Sequence, residues 1–276
     1  MANNPLQQYF RQPKVFVSLP SQGVYNDPTA ITGDLTHMPV YGMTGMDEIM
    51  LKTPDALITG ESTVRVIESC CPNVKDGWAV SNLDVDALLV GIRVATYGNT
   101  MTMVHVCEKC DTENNYDLDV TKFLDHFSQC QFESSVTLGD LTIRIRPLDY
   151  RQVTDFNLAQ FALQKRLIQA SALENEEEKN KLIGEIYRDL GLLQNKVIIA
   201  GIEQVELPSG QVVTESEFIT EWIENADKTV FDTVRTQVTK NSEVWRIPTT
   251  HVKCDSCDAE NSFNVDLDQA SFFAAA

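Results

Sequence analysis

Two short stretches of the chain decide the fold: Cys107-Glu-Lys-Cys110-Asp-Thr-Glu-Asn and Cys254-Asp-Ser-Cys257-Asp-Ala-Glu-Asn. Each begins with a C-x-x-C pair and continues into a segment in which polar and apolar residues alternate. A shift of 147 positions superimposes them and aligns Cys107 with Cys254, Cys110 with Cys257, Asp111 with Asp258, Glu113 with Glu260, Asn114 with Asn261, Tyr116 with Phe263 and Asp119 with Asp266. The repeat indicates two copies of one strand–turn–strand unit.

Each C-x-x-C turn places two thiolates on one side of a tight loop, whereas zinc in structural sites takes four ligands in a tetrahedron. Two such turns that face each other supply the complete set, as in a zinc ribbon. The sequence therefore predicts one structural zinc ion, held by Cys107, Cys110, Cys254 and Cys257. A site closed by four protein ligands leaves no position for a substrate, so it implies no catalysis.

Two other interpretations of the cysteine pairs stay open. The pairs are separated by 143 residues, far more than a ribbon usually has, although the matched flanks favour one shared site. The pairs could instead be two redox centres, but neither is followed by the strand-then-helix pattern of a thioredoxin-like site. They could also be cysteines that hold no metal. His105 and His251 precede the pairs and are alternative ligands, but four cysteines already complete the shell.

The net charge of the chain is −18, from 40 acidic and 22 basic residues. Such a charge would repel nucleic acid, because binding to phosphates needs a basic face. The acidic balance suits solubility or docking onto basic surfaces of another protein. With 43% hydrophobic residues the chain can bury a globular core.

The remaining features indicate neither secretion nor a membrane. Three cysteines are left over, Cys70, Cys71 and Cys130, and an odd count with adjacent members does not suggest a disulfide framework. We expect them to be small buried residues in a reducing compartment. The N-terminus lacks the pattern of a signal peptide, and no apolar run approaches the ~18 residues of a membrane span.

The pattern in the first part of the chain predicts a polar extended arm over residues 1–13, either disordered or ordered only by a partner, followed by short strands and helices. Thr44 is a predicted N-cap, with Met46, Ile49 and Met50 on one apolar face of the helix that follows. Ser62 is predicted to open a second helix. Strands are predicted over 14–19, 24–25, 37–41 and 99–106, and helices over 83–96 and 122–130.

The second part is predicted to be mostly helical. A hairpin with a Gly139-Asp140 turn precedes two long helices, from Asp149 to about Leu173 and from there to about Ala200. A second hairpin over 202–213 and a capping box at Thr214-Glu-Ser-Glu217 come next. The final predicted elements are a helix over 227–241 and a strand over 245–252.

These patterns together predict an α+β fold with a nested plan. It has three parts: an N-terminal arm with a strand and helix region (1–98), a split four-cysteine zinc ribbon (99–120 plus 245–268), and a hairpin and helical insertion (121–244). The metal would join two points that are distant in sequence, which removes much of the entropy of the unfolded chain.

No sequence motif indicates catalysis. The four histidines are His37, His105, His126 and His251, and no H-E-x-x-H, P-loop or G-x-S-x-G pattern is present. Acidic runs such as Glu176–Glu178 are typical of a solvated helix face. We therefore expect that the protein is not an enzyme; a hydrolase with an unrecognised site would need a polar pocket with perturbed carboxylates.

Several short motifs, in a particular order, resemble the baseplate proteins of T-even-like contractile-tailed bacteriophages, in the hub-and-assembly group. The resemblance covers about the first 120 residues and the C-terminal cysteine pair. Its motifs are Leu19-Pro-Ser-x-Gly-x-Tyr25, Met43-Thr-x-Met-Asp-Glu48, Gly60-Glu-Ser-Thr-Val-Arg-Val-Ile67 with Cys70, Cys71 and Pro72, Asp86-x-Leu-Leu-x-x-x-Arg-x-x-x-Tyr-Gly98, and the C-x-x-C that follows.

The resemblance implies a structural protein of the virion tail baseplate, assembled in the host cytoplasm, close to the hub and tail tube. It implies other baseplate, hub or tail-tube proteins as partners and multiple copies in a symmetric assembly. The charge and the lack of a long apolar run argue against nucleic acid and a membrane as partners. It carries over no catalytic residues. Two alternatives remain: an assembly chaperone that is absent from the mature virion, and a zinc-ribbon regulator, against which the charge of −18 argues.

Overall fold

The computed structural model describes residues 5–53, 59–265, 267, 272 and 273. The ends of the predicted arm and ribbon, at residues 1–4 and at 266 and 268, lie outside the described residues. The strands are β1 Pro13–Val17, β2 Met38–Tyr41, β3 Thr100–Val106, β4 Glu113–Asp119, β5 Ser135–Leu138, β6 Leu141–Ile145, β7 Ile202–Glu206, β8 Val212–Val213, β9 Thr250–Lys253 and β10 Glu260–Phe263. The α-helices are α1 Gly45–Leu51, α2 Glu61–Cys70, α3 Asn82–Tyr97, α4 Thr121–Gln129, α5 Tyr150–Ser171, α6 Glu176–Ala200, α7 Ser216–Asn225 and α8 Lys228–Val244.

The chain divides into two compact units, with the second inserted into the first. Unit 1 comprises Met1–Cys130 and Trp245–Ala276, and unit 2 comprises Gln131–Val244. The predicted α+β class is confirmed, with the four cysteines on two separate segments of unit 1. The finer division into an arm region, a ribbon and an insertion stays a prediction. No helix within the described residues is both long enough and apolar enough to span a membrane.

Helix α3 forms the centre of unit 1. Of its 16 residues, 12 are buried, because apolar side chains occur on all sides of the helix. Its Gly91 lets β1 approach closely, since a Cβ there would lie 2.5 Å from Cγ2 of Val17. The β1–β2 ribbon is antiparallel, and buried residues of β1, β2 and α2 such as Val17, Val40 and Ile67 complete the core.

The turn that contains the Leu-Pro-Ser motif is attached to α3 through a buried carboxylate. Asp84 is fully buried and accepts hydrogen bonds from the backbone N–H and the hydroxyl of Ser21 and from Nδ2 of Asn26. Burial raises the pKa of Asp84, while these hydrogen bonds act in the opposite direction. The predicted strand at 24–25 is wrong: Gln22 and Gly23 both have positive φ, so the chain keeps turning.

The N-terminal segment departs from the predicted extended arm. Pro5–Tyr9 is a 3-10 helix, and Arg11 donates to the carbonyl of Gly42 at 2.8 Å and to the hydroxyl of Ser69 at 2.9 Å. These contacts come from unit 1 itself, so this part of the segment is ordered without a partner.

Helix α1 begins at the predicted cap but turns a different face inward. Thr44 and Asp47 form a capping box. Met46 and Ile49 are 66% and 60% exposed, whereas Asp47 is buried, so the predicted apolar face is turned towards solvent. Asp47 faces inward because its carboxylate is satisfied there: it accepts hydrogen bonds from Thr44 and from the hydroxyl of Ser69. Helix α2 begins at Glu61 after Gly60, one residue before the predicted Ser62.

Unit 2 is built on an antiparallel sheet of four strands in the order β5-β6-β7-β8. The predicted Gly139-Asp140 hairpin pairs β5 with β6. Asp149 caps α5 through a capping box with Gln152, and Gly201 ends α6. The core combines the sheet with the end of α6 and with α7 and α8, through Val136, Ile143, Ile145, Ile198, Ile202, Val205, Ile219, Ile223 and Val234.

The predicted capping box at Thr214 is wrong. Helix α7 begins at Ser216 with Glu215 as its N-cap residue, and no side chain caps it. Instead, the backbone N–H of Thr214 donates to the Glu215 carboxylate at 3.2 Å. The final strand, β9, is also shorter than predicted and covers Thr250–Lys253.

Candidate metal centre

The two C-x-x-C turns have the same backbone geometry. In the first, the N–H of Cys107 donates to the carbonyl of Thr112 at 2.9 Å, and the N–H of Asp111 donates to the carbonyl of Cys107 at 2.9 Å. The second repeats both bonds at positions shifted by 147: from Cys254 to Ala259 at 2.9 Å and from Asp258 to Cys254 at 3.0 Å. Asp111 and Asp258 share a φ of 54°. The sequence repeat is therefore a repeat of local structure.

Antiparallel strands carry each turn. The β3–β4 hairpin pairs Val106 with Glu113 next to the first turn, and the β9–β10 hairpin pairs Lys253 with Glu260 next to the second. The hairpins also touch each other within unit 1: the hydroxyl of Tyr116 donates to the carbonyl of Lys253 at 3.0 Å, and the Tyr116 and Phe263 rings lie 6.0 Å apart.

The four cysteine sulfurs converge on one point. All four Sγ atoms lie within 4.8 Å of one another, with 3.8 Å between Cys107 and Cys257 and 3.6 Å between Cys110 and Cys254. None of these cysteines is in a disulfide. A tetrahedron of sulfurs about 2.3 Å from a central ion has edges of about 3.8 Å. The set could therefore hold one metal ion without rearrangement of the backbone.

The protonation behaviour of the cluster also suits a cation. Hydrogen bonds lower the pKa of Cys107 to about 6. The strongest comes from the backbone N–H of Lys109, and the backbone N–H of Cys110 and the side-chain amide of Asn261 add to it. The N–H of Ser256 likewise lowers the pKa of Cys254. The N–H of Ala259 lowers the pKa of Cys257, but the neighbouring thiols and burial outweigh it and raise this pKa to about 12. Four thiolates at this spacing need a positive ion to be ionised together.

Two asparagines cross-link the turns. Asn114, on the first hairpin, donates from Nδ2 towards Sγ of Cys254 at 3.6 Å and accepts from the backbone N–H of Asp255 at 3.0 Å. Asn261, on the second, donates towards Sγ of Cys107 at 3.5 Å and accepts from the N–H of Glu108 at 3.3 Å.

Both asparagines are buried, at 4% and 7% exposure, and they occupy equivalent positions in the repeat. Each one therefore stabilises the opposite turn and its first cysteine. The roles of Asn114 and Asn261 were not predicted, although their match under the 147-residue shift was the available signal.

The histidines near the cysteine pairs are not part of the cluster. Among the described residues, the group of His, Cys, Asp and Glu side chains that could hold an ion consists of the four cysteines alone. The His105 ring instead lies 5.3 Å from the Phe263 ring. His126 Nε2 lies 2.9 Å from the carbonyl of Arg246.

The three remaining cysteines lie elsewhere. Cys70 and Cys71 are fully buried, as expected, and Cys130 is half-buried. Burial raises the pKa of Cys70 to about 11 and also raises that of Cys71, so both stay protonated. They are packing residues of unit 1.

Comparison with protein families gives one match. Residues 45–274 match the family described as T4 bacteriophage base plate protein. Comparisons with curated proteins and with solved structures gave no match. The matched range covers most of the chain, including α1 to α8 and all four clustered cysteines, and it confirms the resemblance seen in the sequence. The chain belongs to the T4 bacteriophage base plate protein family, which places it in the tail of the phage virion together with other baseplate components.

Proposed function

We propose that the protein is a hub-proximal scaffold of the baseplate, whose split ribbon is closed by one structural zinc ion bound to Cys107, Cys110, Cys254 and Cys257. The observation that carries the proposal is the convergence of four sulfurs within 4.8 Å from two turns of identical geometry. Four thiolates in a tetrahedron suit zinc or an iron centre. A zinc site of this kind is structural, because no ligand position remains open.

The role of the ion follows from its position in the chain. It would tie the segment around Cys107 to the segment around Cys254, which lie on either side of the whole of unit 2 in sequence. Cys107 and Cys254 are buried, whereas Cys110 and Cys257 are partly accessible. A site of this kind stabilises a binding surface rather than performing chemistry, in keeping with a baseplate protein that is not an enzyme.

Metal content and thiol counting test the ligand set. We expect one zinc ion per purified chain, and none in the Cys254→Ser, Cys257→Ser variant. Cys130→Ser is the matched control, since it removes a cysteine outside the cluster and should keep the ion. Visible absorption distinguishes zinc from iron, because only an iron–thiolate centre is coloured. A chain without metal, or two ions of which one survives in the variant, would refute the proposal.

The two asparagines allow a finer test. Loss of a group that orients a metal ligand typically weakens metal binding about 10–100-fold. We expect Asn114→Ala and Asn261→Ala to raise the dissociation constant for zinc by this factor and to similar extents, in competition with a chelator. Asn115→Ala is the control, because Asn115 is the exposed neighbour of Asn114. Equal affinity in all three variants would contradict the cross-linking role.

The position near the hub rests on the sequence resemblance and needs a test in the particle. Quantitative mass spectrometry of purified virions should find the chain at a stoichiometry set by the baseplate symmetry. Chemical cross-linking of the same particles should join it to hub or tail-tube proteins. If the chain is present in assembly intermediates but absent from virions, it is an assembly chaperone instead.

A further inference from the structure

The α5–α6 hairpin of unit 2 leaves most of its surface exposed. Among its 47 helical residues, only Thr154, Ala170, Ile186 and Ile198 are buried. Two helices that pack against each other cover one face of each, so apolar side chains on the other faces stay exposed unless a further partner covers them. The hairpin carries such side chains.

The outward face of α5 has a ridge made of Phe161, Lys165 and Ile168, which we call the α5 ridge. Phe161 is 55% and Ile168 is 73% exposed. They are seven residues apart, so they point in the same direction and are about 10 Å apart along the axis. The buried Ala170 and the half-buried Leu163 and Leu167 mark a different face of the helix. Lys165, between the two apolar residues, has no ion pair within the described part of the chain.

A groove lies on the same unit. It encloses about 570 Å³ between α6, α7 and α8, and its lining includes the apolar residues Leu192, Ile199, Ile223 and Phe231. We call it the α6–α7 groove. On its α6 wall, Leu192 and Ile199 are also seven residues apart. A ridge and a groove with the same seven-residue repeat can interlock as helices do in a coiled coil.

The charges at the groove match those of the ridge. Glu217, Glu221 and Glu224 follow one side of α7, and a shallower depression of about 340 Å³ extends along them. All three are exposed, and none has an ion pair among the residues described. Lys196 is the basic residue of the groove lining. The rim therefore has a surplus of negative charge, which favours an apolar helix face that carries a lysine.

We propose that the α6–α7 groove binds the α5 ridge of a second copy of this chain. One chain carries both halves of the contact: two apolar anchors at a seven-residue spacing with a lysine between them, and an apolar groove with the same spacing and an acidic rim. The hairpin also suits self-association because Tyr150–Ala200 has seven acidic and seven basic residues, in a chain whose net charge is −18. The hairpin therefore adds no net charge that would repel a second copy.

Ridge and groove are different surfaces, so each copy offers one of each. Two copies can exchange both contacts around a two-fold axis, or successive copies can close a ring. The inference concerns unit 2 alone, so it stands or falls independently of the proposed zinc.

Sedimentation or light scattering of the purified chain over a range of concentrations tests the proposal. We expect reversible self-association, weakened at least tenfold by Ile168→Ser, by Lys165→Glu and by Glu221→Lys. Lys181→Glu is the matched control, since it makes the same charge change at an exposed site of the hairpin outside the ridge. Circular dichroism confirms that each variant is folded, which we expect because every altered side chain is exposed.

A charge swap gives the decisive result. A chain with both Lys165→Glu and Glu221→Lys should recover association, and so should an equimolar mixture of the two single variants. Three outcomes would overturn the proposal. The chain is a monomer at every concentration, or it associates equally well with and without the ridge and groove substitutions. In the third outcome, the chain is a monomer and the only defect of the groove variants is that they are not incorporated into the baseplate. The last outcome would assign the groove to a helix of another baseplate protein.

Discussion

Helix α3 of unit 1 and the α5–α6 hairpin of unit 2 differ in how much of their surface the chain itself covers. In α3, 12 of 16 residues are buried; in the hairpin, four of 47 are. All of these helices are long, and all were recognisable from their sequence. A helical pattern thus shows that a helix forms, but the distribution of apolar residues around it shows whether the partner is internal or external.

The contrast extends to the way in which each unit is held together. Unit 1 combines a buried central helix with the cysteine cluster, so it has two sources of stability. Unit 2 has a smaller core of nine buried residues around its sheet, from which the hairpin extends. Substitutions of the same kind should therefore change the free energy of unfolding by different amounts in the two units.

The largest effect should come from removing the proposed metal ion. Structural zinc contributes on the order of 10 kcal/mol to the folding of small zinc-finger peptides, more than any single side chain. We expect chelation, or the Cys254→Ser, Cys257→Ser variant, to reduce amide protection strongly in β3 and β4 of unit 1. Protection in β6 and β7 of unit 2 should change little. Peptide-resolved hydrogen exchange measures both, and an equal loss in the two units would contradict the comparison.

The next effect contrasts two aliphatic truncations. Leu88 in α3 is fully buried, and Ile168 in α5 is 73% exposed. Leu88→Ala should lower the free energy of unfolding by about 2–5 kcal/mol, through lost burial and the cavity left behind. Ile168→Ala should change it by less than about 0.5 kcal/mol. Urea unfolding at low protein concentration measures both, and similar costs would mean that the hairpin is packed in the monomer.

A smaller effect should come from adding one methyl group to α3. The Cβ of an alanine at position 91 would lie 2.5 Å from Val17 Cγ2, and Val17 is buried. Gly91→Ala should therefore destabilise by about 1–3 kcal/mol, although alanine is the better helix former. Val17→Ala in the same chain should recover part of the loss, and a double-mutant cycle measures this coupling. Strict additivity of the two substitutions would exclude the steric cause.

The features that were predicted correctly depend on local patterns. The C-x-x-C repeat predicted the cysteine cluster, because the same residues at the same spacing form the same turn. The Gly139-Asp140 hairpin and the start of the long helix α5 near Asp149 likewise depend on residues close in sequence. These interactions need no knowledge of the tertiary fold.

Two of the incorrect predictions concern residues whose conformation is decided by distant partners. Val24 and Tyr25 have strand composition, but the Ser21 and Asn26 bonds to Asp84 hold this segment in a turn. The apolar pattern of α1 did not show that Asp47 would be satisfied inside by Ser69. The roles of Asn114 and Asn261 were missed for the same reason, since these side chains act on cysteines 140 and 154 positions away.

The smallest effect completes the comparison with Gly91. Gly184 lies in the middle of α6, is exposed, and has no atom within 4 Å of the position that a Cβ would take. Gly184→Ala should therefore stabilise by about 0.5–1 kcal/mol, because alanine loses less backbone entropy in a helix than glycine. Urea unfolding of Gly184→Ala and Gly91→Ala compares the two helices. The change in the free energy of unfolding should have opposite signs for these two Gly→Ala substitutions. A destabilised Gly184→Ala monomer would show that the surface around Gly184 is already covered within one chain, and the contrast between the two helices would not hold at this position.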